Sequence, residues 1–416
     1  MRGIRLTRVL HLLQLRIISG ALVCSDIDGE EGRTFSSSSA LRRMAQSTPF
    51  QFSPLLLLLI FIFTPSPTLT QENAPVPPAV VGSPEGSGQP PQADTVPPPS
   101  LPPALFETGI APASPVITLT PEEVNAAAYV GGPLPEGLSA LTLKLQIILD
   151  QAGMSPGVID GVNGRNVAKA IAGVEVLIGQ PVDGVLDDEI WKRLPHDTPI
   201  LVDYEITADD LAGPFLSEVP SDFSEMAKLD SLSYTGPLEM FGERFHMDVD
   251  LLQALNPNVD FTLAGTTIVV AGANAFAVTT PVAILVADKI NAQLRGYNAE
   301  SKLVVAYPAT IGSDELPSPS GTHFVSAIAP RAAYYYNPHL NFKQGDNTQK
   351  LTLPPGPNNP IGTTWIDLSE PSYGIHGTPE PSKIDKTRSH GCVRLTNWDV
   401  EELAGLVEKG VRVEFQ

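Results

Sequence analysis

The period of the hydrophobic pattern changes near residue 280, and that change limits what this chain can fold into. From Leu138 to Leu194 apolar residues recur at helical spacing. Leu141, Leu145 and Ile148 share one face, and so do Val167, Ile171, Val174 and Ile178. From Val282 onward the apolar residues come in short β-branched runs: Ala283-Ile284-Leu285-Val286, Leu303-Val304-Val305-Ala306, His323-Phe324-Val325 and Trp365-Ile366-Asp367-Leu368. Gly, Pro, Asn and Asp separate them. This spacing predicts a mostly β domain. A last amphipathic helix uses Val400, Leu403 and Val407, with Thr396 or Asn397 as N-cap, and Val411 to Phe415 closes as a strand. With 416 residues, two or three domains of a multidomain α+β chain are expected.

Residues 1–70 read as a targeting region. Arg42 and Arg43 precede the apolar run Leu55 to Phe63, bracketed by Pro54 and Pro65. That run is too short to span a bilayer but suits the h-region of a signal peptide. Cleavage is expected after Thr68-Leu69-Thr70, and translation is expected to start at Met44. Residues 71–130 form a Pro-rich linker, with Pro97-Pro98-Pro99 and Pro102-Pro103, expected to be extended and semi-rigid. The formal net charge of −20 argues against nucleic acid or anionic lipid as partner.

Export would remove Cys24 and leave Cys392 as the single thiol. A lone cysteine in an oxidising compartment is buried and inert, paired with another molecule, or kept for reactivity. Its neighbours in Ser389-His390-Gly391-Cys392-Val393-Arg394-Leu395 are poor company for a core. A thiol is only slightly ionised at neutral pH, so a nucleophile needs a base or a positive charge beside it. His376, between Tyr373-Gly374-Ile375 and Gly377-Thr378, is the natural general base. No Asp or Asn declares itself as its orienting partner, which leaves a backbone carbonyl, with Gly377 the candidate. His390 and Arg394 alternate with Cys392 on one strand face; Arg394 suits a thiolate or a substrate carboxylate. Backbone N–H groups near Gly391 and Cys392 are the candidate oxyanion donors. A zinc site from His376, His390 and Cys392 lacks a convincing fourth ligand, so no metal is expected.

These motifs resemble known families. His376-Gly377-Thr378 followed by Ser389-His390-Gly391-Cys392-Val393-Arg394-Leu395-Thr396-Asn397-Trp398 resembles the signature of the L,D-transpeptidase (YkuD) catalytic domain. Pro308-Ala309-Thr310-Ile311-Gly312, Pro317-Ser318-Pro319-Ser320-Gly321-Thr322 and Gly356-Pro357-Asn358-Asn359-Pro360-Ile361-Gly362-Thr363 extend the resemblance over 282–416. One departure is Ile384-Asp385, where the family usually has Ile-Gly, which bears on the loop between His376 and Cys392. The segment 138–196, with Ile159-Asp160-Gly161 and Val182-Asp183-Gly184, resembles a three-helix peptidoglycan-binding domain. The segment 200–271 resembles a LysM module, read as strand, helix, helix and strand between Tyr234 and Val270.

The resemblance implies a β-sandwich catalytic domain and an exported, periplasmic, wall-associated acyltransferase. In that reading Cys392 attacks the third stem residue of a tetrapeptide, usually diaminopimelate. D-Ala leaves, and the thioester passes to an amine, giving a 3→3 cross-link. His376 moves the protons, Gly377 orients it, and Ser389, His390 and Gly391 serve the oxyanion and positioning. The resemblance further implies no cofactor, covalent inhibition by carbapenems, and a carboxypeptidase side activity. Attachment or release of envelope proteins, trimming of stems, and a non-catalytic wall-binding scaffold stay open as alternatives.

Overall fold

A computed structural model describes residues 119–196, 199–272, 278–312, 317–339, 342–387, 389 and 391–416, together with the backbone of 16–18 and 21–23. The expected start at Met44, the signal peptide, its cleavage site, Cys24, the Pro-rich run and His390 lie outside the described residues. The chain divides into two compact units, Met1–Pro103 and Ala104–Gln416. In the first, β1 (Arg16–Ile18) and β2 (Ala21–Val23) pair antiparallel.

The second unit begins with α1 (Pro121–Ala126), inside the stretch expected to be linker. Thr120 caps it, accepting from the Glu123 N–H while the Glu123 carboxylate accepts from the Thr120 N–H. This reciprocal pair satisfies two donors that a helix start otherwise leaves open. Val124 is buried and the Asn125 side chain bonds Ile200 and Leu201, so the folded body starts earlier than composition suggests. Next come α2 (Ala140–Gln151), α3 (Arg165–Ile178) and α4 (Asp188–Arg193). Helix α2 is buried on nearly every side, from Thr142 to Leu149, so its single apolar stripe understates its central position. Each Asp-Gly turn is held by a helix side chain. Gln146 Oε1 accepts from Gly161, and Glu175 Oε2 accepts from Asp183 and Gly184.

The next segment holds β3 (Leu201–Glu205), α5 (Phe223–Met226), α6 (Pro237–Arg244), α7 (Val249–Leu255) and β4 (Thr267–Ala271). Its first strand is therefore not near Tyr234 but some thirty residues earlier, pairing antiparallel with β4 from Leu201 opposite Ala271. Long-range pairing, invisible to local pattern, decides this.

The remaining strands are β5 (Ile284–Asp288), β6 (Gln293–Tyr297), β7 (Leu303–Pro308), β8 (Thr310–Ile311), β9 (Gly321–Pro330), β10 (Tyr334–Tyr336), β11 (Leu351–Leu353), β12 (Thr364–Leu368), β13 (Gly374–His376), β14 (Val393–Arg394) and β15 (Arg412–Phe415). Helix α8 (Asn397–Leu406), capped by Thr396, precedes the last strand. Among the described residues nine strands hydrogen-bond in the order β7-β6-β5-β15-β9-β12-β13-β14-β8. Strand β9 serves both halves: Gly321–Phe324 pair with β15, and Val325–Pro330 with β12. Leu285, Leu294 and Val305 from one half share a core with Ile366, Ile375 and Val393 from the other and with Leu403 of α8.

The helical segments are not beads on a string. Residues of 124–271 form one continuous core that also takes in Leu303 and Ala306 of β7. The turn after α2 covers that sheet edge: Ala306 N–H donates to Gly153 O, and Ser155 N–H to Ala306 O, both at 2.9 Å. An edge strand offers unpaired backbone groups, and this contact satisfies those of Ala306. No helix of the described residues is long and apolar enough to cross a membrane.

Candidate active site

Strands β13 and β14 run parallel, with Ile375 opposite Val393 and His376 opposite Arg394. Ile375 and Val393 are fully buried in the β-domain core. Side chains alternate along a strand, so His376 and Arg394 project from the opposite face, and Cys392 lies two residues before Arg394, just outside β14. The row continues across the sheet, since Trp365 pairs with His376 and Thr310 pairs with Arg394.

His376 is buried, and its Nδ1 lies 2.7 Å from the carbonyl oxygen of Gly377. A carbonyl only accepts, so Nδ1 carries the hydrogen and Nε2 keeps its lone pair. Burial, together with the Arg394 charge, pushes the imidazole down to about 3 against the pull of the Gly377 and Ile361 backbone. Burial pushes the Cys392 thiol up, opposed by the Gly374 backbone and Arg394. The resting pair is therefore a neutral thiol and a neutral imidazole. Arg394 is half-buried, and its Nε has no hydrogen-bond partner. Cys392 Sγ lies 3.9 Å from the Ser372 carbonyl oxygen.

The backbone around Cys392 is fixed from several sides. Ser389 Oγ donates to Cys392 O and accepts from Gly312 N–H, both at 2.6 Å, and it is buried. Ser318 Oγ donates to Gly391 O at 2.6 Å. Gly391 has φ +107°, and a Cβ there would come within 2.6 Å of the Tyr373 ring. Only glycine fits.

One neighbour of this site, Trp365, was not singled out from sequence. Trp365 stacks on His376 with centroids 5.5 Å apart, while its Nε1 donates to Asp367. Alternation in Thr364-Trp365-Ile366-Asp367-Leu368 was the available signal, since Ile366 belongs to the core and Trp365 faces away. The run Tyr334-Tyr335-Tyr336 suits, from sequence, either a cleft wall or, better, strand surface and core; Tyr336 is core and Tyr335 is exposed. Tyr334 is half-buried, and burial, with the charge that a Cys392 thiolate would carry, pushes it up to about 12.

Comparison with known proteins matches residues 283–415 to the L,D-transpeptidase catalytic domain, YkuD, and residues 140–194 to a peptidoglycan binding domain. L,D-transpeptidase YkuD of Bacillus subtilis (strain 168) is 33% identical over 165 residues, which cover 39% of this chain and 82% of that protein. The chain belongs to the YkuD family of L,D-transpeptidases. L,D-transpeptidase YkuD of Bacillus licheniformis is 51% identical over 61 residues, 15% of this chain and 37% of that protein. L,D-transpeptidase YbiS of Escherichia coli (strain K12) is 28% identical over 187 residues, 44% of this chain and 60% of that protein. The chain thus spans less than two thirds of two of these three relatives, 37% and 60% of their length. The mixed α/β body is accordingly a mostly β L,D-transpeptidase domain joined to a peptidoglycan-binding domain. The L,D-transpeptidase domain holds every site residue described above. Among the described residues no cluster of three or more His, Cys, Asp or Glu side chains could hold a metal ion.

Proposed function

We propose that this protein is an exported, wall-associated peptidoglycan L,D-transpeptidase acting in the periplasm, with Cys392 as nucleophile and His376 as proton carrier. The observation that carries the reading is the parallel β13–β14 register, which sets His376 beside Arg394, two residues from Cys392.

The neutral pair suits an acyl transfer that begins on substrate binding. As Sγ attacks the carbonyl carbon of the third stem residue, a diaminopimelate, the thiol proton passes to His376 Nε2. Nδ1–H stays on the Gly377 carbonyl, which fixes the ring and steadies the imidazolium. The N–H groups of Gly391 and Cys392 receive the developing oxyanion. His376 returns the proton to the departing amine, D-Ala leaves, and a thioester remains. An acceptor amine, the side chain of a second stem, then loses its proton to His376 and attacks the thioester. The new amide is a 3→3 cross-link and the thiol is restored. Arg394, with an unpartnered Nε, holds a substrate carboxylate. No step calls for a cofactor.

Residues 200–271 act in this reading as a LysM-like glycan contact, supported by the antiparallel β3–β4 pair enclosing α6 and α7. Together with the peptidoglycan-binding domain it would hold the enzyme on an insoluble polymer. Carbapenems carry a strained acyl group that the same thiol opens. Intact-mass measurement after incubation with a carbapenem should show one covalent adduct on the wild type and none on Cys392→Ala. An unmodified wild type would leave a non-catalytic wall-binding scaffold as the better description.

A further inference from the structure

Asp385 occupies the loop between His376 and Cys392 with φ +62°, a left-handed conformation that costs an aspartate more than the glycine usual there in the family. The extra side chain is put to use. Asp385 Oδ2 lies 2.9 Å from Arg165 Nε and 2.8 Å from Lys169 Nζ, and its side chain is only 6% exposed. Arg165 and Lys169 are one turn apart on α3, inside the matched peptidoglycan-binding domain. Arg165 Nη2 also donates to the Asp385 carbonyl at 2.8 Å. On the other side Asp385 N–H donates to Thr310 Oγ1 at 3.0 Å, and Thr310 is the register partner of Arg394. Lys169 Nζ completes the junction by donating to Ala292 O at 2.9 Å.

We propose that Asp385 is a positioning residue through which helix α3 of the peptidoglycan-binding domain sets the catalytic loop that ends at Cys392. This rests on the transpeptidase reading above. The carboxylate is shielded and paired with two cations, one of them also shielded (Lys169 is 11% exposed), so the tie is stronger than a surface ion pair. Besides this tie the loop is held by the buried Ile384 side chain, by the Asp385 N–H on Thr310 and, near its far end, by Ser389 on Gly312. The domain that holds the polymer and the loop that carries the oxyanion donors thereby become one mechanical piece. Occupancy of the first is then felt at the second.

The test uses the full chain with Asp385→Gly, Lys169→Ala and the double variant. Two readouts apply: hydrogen–deuterium exchange over 378–391, and the rate of Cys392 acylation by a carbapenem. Asp385→Gly restores backbone freedom, so a fold or strain effect alone would leave it at or above wild type. The clamp predicts faster exchange and a roughly tenfold to hundredfold slower acylation in both single variants. The double variant should be no worse than the worse single, because all three break the same tie. Unchanged exchange in Asp385→Gly overturns the inference, and so does faster exchange with wild-type acylation or additive losses. A wild type inert to the carbapenem would count against the transpeptidase reading, while the exchange arm still decides the clamp.

Discussion

Trp365 and His376 are register partners on adjacent antiparallel strands, and their rings stack with planes 18° apart. The indole covers one side of the imidazole and contributes to the burial that holds it down to about 3. Removing it in Trp365→Ala admits water, so the imidazole returns toward its ordinary value of about 6.5. Below that value the ring holds a proton and cannot take one from Cys392. Acylation of Trp365→Ala should therefore fall as pH drops from 7 to 5, while wild type shows no such limb. Trp365→Phe, which keeps a ring on the imidazole, should follow wild type. Stopped-flow acylation across pH checks this, and identical profiles for Ala and wild type would refute it.

Arg394 lowers both partners: its charge favours the Cys392 thiolate and disfavours the His376 imidazolium. In Arg394→Met the thiol should titrate higher still. Each unit of upward shift costs about tenfold in thiolate below the midpoint, so alkylation at pH 7 should slow roughly tenfold or more. The pH dependence of iodoacetamide alkylation measures the midpoint directly. A midpoint unmoved or lowered would show that Arg394 does not act on the thiol.

A cavity of about 660 Å³ gathers Asp150, Glu243, His246, Asp399 and Glu402. Burial pushes both Glu243 and Asp399 up to about 8. Their folded values exceed the unfolded ones, so between roughly pH 4 and 8 the native state binds more protons than the unfolded chain. That contribution to stability is complete below about pH 4 and is lost as pH rises through 8. Burial also raises Glu402, which acts in the same direction. Thermal unfolding of the wild type should fall between pH 5 and 9, and Asp399→Asn should flatten the decline by on the order of a few degrees. A midpoint that climbs with pH, or an Asp399→Asn curve parallel to wild type, would contradict the assignment.

Much of this site was legible before any coordinates. The order His376 before Cys392, with the glycine and arginine around the thiol, pointed to acyl transfer because those residue types have few other uses together. The strands through Ile284, Val305 and Ile366 followed from short β-branched runs bounded by turn residues. Trp365 was not legible, because its stacking on His376 depends on which strand lies next to β13, and that is a long-range choice. For the same reason β3 was misplaced: Leu201–Glu205 is a strand only because β4 pairs with it. Asp385 could be seen as a departure, but its partners Arg165 and Lys169 lie more than two hundred residues away in sequence. Packing of the helical segments onto β7 leaves no local mark either.

The most direct test incubates the full chain with purified tetrapeptide muropeptides and follows products by mass. Wild type should release D-Ala and form a cross-linked dimer, and Cys392→Ala should lose at least roughly a thousandfold of that rate, as expected for removal of a covalent nucleophile. Release of D-Ala at the wild-type rate by Cys392→Ala, or no product from wild type, would contradict the account.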